Sequence, residues 1–83
     1  MAPDDDTVRA ACCLVADALA RPLAEIPPDG SIHTIPAWDS LGHVRVLLAL
    51  EAAIGRPLPS DVIATLAGVA DIAAVLAADA APT

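Results

Sequence analysis

Asp39, Ser40 and His43 are the residue types of a hydrolytic triad, gathered within five positions. In such a triad the nucleophile, its base and the orienting acid converge from separate elements. Ser40 and His43, one turn apart on a helix surface, give the imidazole no good line to the hydroxyl. The Gly-x-Ser-x-Gly elbow is also missing, because Trp38 stands where the first glycine is needed. No catalytic residue is assigned, and the chain reads as a protein that is not an enzyme. His33, His43, Cys12 and Cys13 are the soft metal-ligand types, but their spacing fits neither CxxC nor HxxxH. They are expected to be a solvated loop histidine, a helix-surface histidine and two thiols, with no metal. The glycines are scattered singly, so no glycine-rich phosphate loop exists.

Ser40 itself has two readings. It can cap the N-terminus of a helix, a role serine and aspartate fill well. It can also carry a phosphodiester, because a helix start offers free backbone amides and the positive end of the helix dipole. The residues alone leave both open.

The elements that position Ser40 follow from periodicity and punctuation. Residues 1–6 read as a disordered acidic lead-in ending at Thr7, and Val8, Cys12 (or Ala11), Val15 and Leu19 recur at helical spacing up to about Ala20. Pro22 closes this first helix. Pro27, Pro28, Gly30 and Pro36 then keep Leu23 to Ala37 from forming a long regular element. A loop of this length needs packing, which Leu23, Ile26, Ile32 and Ile35 are placed to provide. Asp39 or Ser40 starts a second helix that runs to Ile54 and stops at Gly55, with Pro57 beyond. Pro59-Ser60-Asp61 supplies a cap for a short helix through about Leu66, and a last helix spans roughly Val69 to Ala77, leaving residues 79–83 as a disordered tail. The spacing predicts an all-α fold. It is a small four-helix bundle of three main helices and one short third helix, with a long loop between the first two, and it makes one domain over 1–83.

Composition narrows the partners. The chain has 83 residues and is 57% hydrophobic but only 1% aromatic, so its core must be built from Ala, Val, Leu and Ile. Four arginines and no lysine face eleven acids, a net charge of -7, which argues against nucleic acid and anionic membranes as partners. Such a field attracts proteins with basic patches. Charges or prolines interrupt every window long enough to span a bilayer. Cys12 and Cys13 are helix neighbours that cannot easily bridge each other, and with no secretory signal they indicate a reducing cytoplasm.

The second helix has more apolar surface than a core needs. Val46, Leu47, Leu50 and Ile54 make one stripe. Leu41, Val44 and Leu48 make another on a different arc, with Arg45 and Glu51 beside it. An apolar cluster rimmed by charge marks a contact face for a partner or cargo.

Trp38-Asp39-Ser40-Leu41-Gly42-His43-Val44, followed by Leu47-Leu48-Ala49-Leu50-Glu51, resembles the attachment segment of acyl carrier proteins. Leu58-Pro59 and Val69-Ala70-Asp71-Ile72 resemble the same family in order and spacing, so the likeness runs from Ile35 to Leu76 and fits more loosely before it. The resemblance implies a discrete carrier whose Ser40 bears 4'-phosphopantetheine, installed from coenzyme A by a phosphopantetheinyl transferase that reads Asp39. It also implies that Leu41, Val44 and Leu48 meet partner enzymes, with Asp39, Glu51 and Asp61 as the acids facing a basic docking patch. Those partners would be an acyltransferase, an acyl-activating enzyme or a ketosynthase. Trp38 departs from the commonest Gly or Ala at its position and resembles discrete carriers of specialised metabolism, in polyketide or mixed polyketide and nonribosomal peptide biosynthesis. Arg45, standing where an acid is common, and Ala52 and Ala53, where more acids are usual, imply a restricted partner set. The protein is expected to be a monomer. The competing expectations are an aminoacyl or peptidyl carrier using the same serine, and an acidic helical interaction module without an arm in which Ser40 is only an N-cap.

Overall fold

The computed structural model describes residues 4–80. Among them are four α-helices: α1 (Asp5–Leu19), α2 (Ser40–Ile54), α3 (Ser60–Thr65) and α4 (Val69–Ala80). They include no strand, so the fold is a small all-α assembly.

Helix α1 starts earlier than its apolar period predicts. Asp4 is the N-cap, its carboxylate accepting the Thr7 amide at 2.7 Å, and Asp5 and Asp6 occupy the first turn. Carboxylates are favourable there because they face the positive end of the helix dipole. Residues 4–6 are therefore helix and cap rather than a disordered lead-in, while residues 1–3 lie outside the described range. The Thr7 hydroxyl and amide hold the Asp4 carboxyl below the usual carboxylate value. At its other end α1 closes before Pro22. Ala20 adopts a left-handed conformation with φ 55°, and the Arg21 amide reaches back to the Ala16 carbonyl at 3.0 Å.

Helix α2 has the bounds its sequence predicts, ending at Gly55 with φ 74°. Helix α3 differs at its cap: Pro59 holds the N-cap position and no side chain there takes a helix amide. Helix α4 continues past Ala77, so residues 79–80 belong to it, and Asp79 pairs with Arg56. Residues 81–83 lie outside the described range. The start of α4 is fastened from within, Asp71 Oδ2 accepting the amides of Ala67 at 2.9 Å and Gly68 at 3.0 Å.

The core lies where α1 packs against α2 and α4. Val15, Val46, Leu50, Val69 and Ile72 are its largest fully buried side chains. Each contributes about 1.5–3 kcal/mol by leaving water. The long loop is pinned by Ile26 and Ile35, which are buried. Leu23 and Ile32, expected as further anchors, are instead 41% and 38% exposed. A backbone bridge replaces them. The Ile32 amide donates to the Ala67 carbonyl and the Val69 amide to the Gly30 carbonyl, both at 2.9 Å, tying the loop to the α3–α4 junction.

Candidate functional site: the start of helix α2

Residues 38–43 build the start of α2. Asp39 is the N-cap, with Oδ1 accepting the Gly42 amide at 2.8 Å. Trp38, the residue before the cap, is almost completely buried. Its ring stacks on His43 with centroids 6.2 Å apart and planes at 30°, and its Nε1–H donates to His43 Nδ1 at 3.0 Å. The residue before the cap thus packs on the fourth residue of the helix, which is the geometry of a hydrophobic staple, here with a hydrogen bond added. His43 is consequently part-buried and engaged rather than a solvated surface histidine. Because Nδ1 accepts, the imidazole proton sits on Nε2. His33 is exposed on the loop, its amide donating to Ser31 Oγ at 3.1 Å.

Gly42 allows α2 to sit this close to its neighbours. A Cβ there would lie 2.7 Å from Leu19 Cδ2 of α1 and 2.8 Å from the Ala37 carbonyl oxygen.

Ser40 is the first residue of α2 and is exposed. Asp39, not Ser40, performs the capping, because the serine lies one position too far along for its hydroxyl to reach the helix amides. Among the described residues the Ser40 hydroxyl has no hydrogen-bond partner, and neither do the Ser40 and Leu41 amides. The three triad-type residues are thus not linked: Asp39 is engaged with Gly42 and His43 Nδ1 with Trp38. What remains is an outward hydroxyl beside two free amides at the positive end of a helix, on a base fixed by cap and staple. An external enzyme can reach such a hydroxyl, and a phosphate ester there has donors to meet.

Beyond Ser40, Leu41, Val44 and Leu48 are 61%, 50% and 60% exposed, while Val46 and Leu50 on the opposite side of α2 are fully buried. The two stripes are therefore distinct. Arg45 lies exposed on one flank of the outer stripe. Glu51 lies on the other and is half-buried, its Oε2 accepting the Leu58 amide at 2.8 Å. That bond ties the end of α2 to the approach of α3. Asp61 is exposed in the first turn of α3. Of the three acids expected to meet a partner, Asp39 and Glu51 thus also have internal duties.

The sequence reading missed the Trp38–His43 pair and the Glu51–Leu58 bond. A tryptophan just before a cap with a large side chain five positions on is a local signal for the first. The second spans a turn whose path no local rule specifies.

Elsewhere, Cys12 is buried and Cys13 exposed, both free thiols, and burial followed by the charge of Cys13 pushes the Cys12 thiol up. Clefts of 540 and 410 Å³ open beside the long loop, one walled by Arg21, Glu25 and Thr34 and the other by Val8, Cys12 and Leu23. Neither is lined by Ser40 or the outer stripe. Among the described residues no group of three or more His, Cys, Asp or Glu could hold a metal ion, and no helix is long and apolar enough to cross a membrane. Compared with known proteins, the chain matches no protein-family model, and no curated protein matches it.

Proposed function

We propose that this chain is an acyl carrier protein that works in the cytoplasm, with Ser40 as the attachment point of a 4'-phosphopantetheine arm. The observation that carries the reading is Ser40 itself, an exposed hydroxyl with no bond to make, because Asp39 already caps the helix. The residue expected under a purely structural role is relieved of that role.

The resemblance of residues 35–76 to carriers supports the same assignment. In the modification, Ser40 Oγ gives up its proton and forms a phosphodiester to the pantetheine phosphate of coenzyme A, and adenosine bisphosphate leaves. The catalytic groups belong to the phosphopantetheinyl transferase. This chain's part is to hold the hydroxyl still: Asp39 and the Trp38–His43 pair fix the helix start, and the free Ser40 and Leu41 amides receive the ester. Once attached, the arm supplies a thiol that bears an acyl group as a thioester. Leu41, Val44 and Leu48 form the face on which an acyltransferase, acyl-activating enzyme or ketosynthase docks. We place the carrier in polyketide or mixed polyketide and nonribosomal peptide assembly.

Intact mass spectrometry after incubation with coenzyme A and a broad-specificity phosphopantetheinyl transferase tests the proposal. The wild type should gain the mass of one phosphopantetheine and Ser40→Ala none. A wild type that stays unmodified, or a Ser40→Ala variant that is modified equally, overturns it.

A further inference from the structure

We propose that the enzyme docking on α2 presents a carboxylate to Arg45, at the edge of an apolar recess that takes Leu41, Val44 and Leu48. The inference rests on the carrier reading for the nature of the partner, and on charge complementarity for its chemistry.

Arg45 is one turn from both Leu41 and Leu48, so it flanks the outer stripe along its central length. The positions three and four away on either side are Leu41, Gly42, Leu48 and Ala49, none of which can pair with it. Among the described residues Arg45 forms no salt bridge, and neither does Arg9 on α1, whereas Arg21 and Arg56 each have one. Acids outnumber bases by eleven to four in this chain, yet an exposed cation beside its largest apolar stripe is left without a partner. The acids nearest that face are engaged instead: Asp39 Oδ1 holds the Gly42 amide and Glu51 Oε2 the Leu58 amide. Both carboxylates keep their charge toward the ends of the face, so Arg45 is the positive group along its central length.

The two scales have separate effects. A net charge of -7 draws basic proteins from a distance. At contact, a lysine or arginine facing Arg45 is repelled as the apolar surfaces exclude water, while a carboxylate gains a charge-assisted pair. Arg45 then selects among the basic proteins that the field attracts, rejecting those whose docking patch is uniformly positive.

The test uses the full isotope-labelled chain and two synthetic amphipathic helical peptides. They share one leucine-rich face and differ only in flanking glutamates or lysines. Amide shifts locate binding, and titrations give affinities for the wild type and for Arg45→Glu. The wild type should bind the glutamate peptide with shifts centred on Leu41, Val44, Arg45 and Leu48. Arg45→Glu should move the affinity ratio toward the lysine peptide by about ten-fold, a size set by charged pairs at an exposed rim. A ratio unchanged by Arg45→Glu, a wild type preferring the lysine peptide on this face, or no α2 shift with either peptide overturns the proposal. The mass assay on the wild type keeps the two readings apart. Ordinary modification with no charge preference refutes the Arg45 proposal alone, and α2 binding without modification refutes the carrier alone.

Discussion

Gly42→Ala probes how the start of α2 is seated. The new methyl would lie 2.7 Å from Leu19 Cδ2, 2.8 Å from the Ala37 carbonyl oxygen and 3.2 Å from Asp39 Oδ1. Leu19 can turn its end aside, but it is buried in the core, so the adjustment costs about 0.5–1.5 kcal/mol in rotamer strain. The Ala37 carbonyl is main chain and must retreat, drawing Trp38 and the Asp39 cap with it. Overpacking of this kind, rotamer strain included, costs about 1–3 kcal/mol. Alanine's higher helix propensity returns at most about 1 kcal/mol. The expected net loss is about 1–2 kcal/mol, or a fall in Tm of roughly 5–15 °C for a domain of this size. Urea and thermal unfolding followed by far-ultraviolet circular dichroism measure it. In a Leu19→Val background, where the opposing side chain is shorter, Gly42→Ala should cost at least about 0.5 kcal/mol less. A Gly42→Ala variant as stable as the wild type would refute the close-approach argument. An identical cost in both backgrounds would remove Leu19 from it.

Four further predictions concern caps and thiols. Asp39→Ala should lose about 1 kcal/mol in urea unfolding, while Ser40→Ala stays within about 0.5 kcal/mol of the wild type; the reverse order would return the capping role to Ser40. Ala20→Gly should gain up to about 1 kcal/mol by relieving a left-handed alanine, and Gly55→Ala should lose a similar amount, although nothing lies within 4 Å of its added methyl. Equal melting temperatures for those two variants would contradict the assigned conformations. Iodoacetamide should alkylate Cys13 well before Cys12, read by peptide mass mapping. Because folding raises the Cys12 thiol, the stability tied to it is complete below the ordinary thiol pKa and is lost as pH climbs through the raised folded value. A Cys12→Ala variant should show a flatter decline over that alkaline range, and parallel curves would contradict the burial assigned to Cys12.

The parts of this fold legible in the sequence are those set by short-range rules. Gly55 ends α2 through its left-handed backbone, and the two stripes of α2 separate by the angular arithmetic of a helix, so Leu41, Val44 and Leu48 were identifiable before their exposure was known. The first boundary of α1 was misread because the apolar period begins at Val8, whereas the helix begins where Asp4 caps and Asp5 and Asp6 meet the dipole. The end of α4 was misread because Ala78 and Asp79 extend no apolar stripe, yet alanine favours helix and Arg56 holds Asp79 from the α2–α3 connection. Ser40 was placed correctly at the helix start, and of its two readings the N-cap belongs to its neighbour Asp39. Aspartate and serine cap about equally well, and only the backbone path decides which is the cap. Glu51 read as a free surface acid because its partner, the Leu58 amide, is seven residues away across a turn.

Trp38 is the chain's single aromatic residue besides its histidines, with no Tyr or Phe present. Its burial against His43 therefore has an optical consequence. The near-ultraviolet absorption, circular dichroism and fluorescence of the protein all arise from one indole, two residues before Ser40 and hydrogen-bonded into the same turn of α2. No dye or label is required to watch this place. Events that loosen the first turn of α2 therefore alter the whole near-ultraviolet signal.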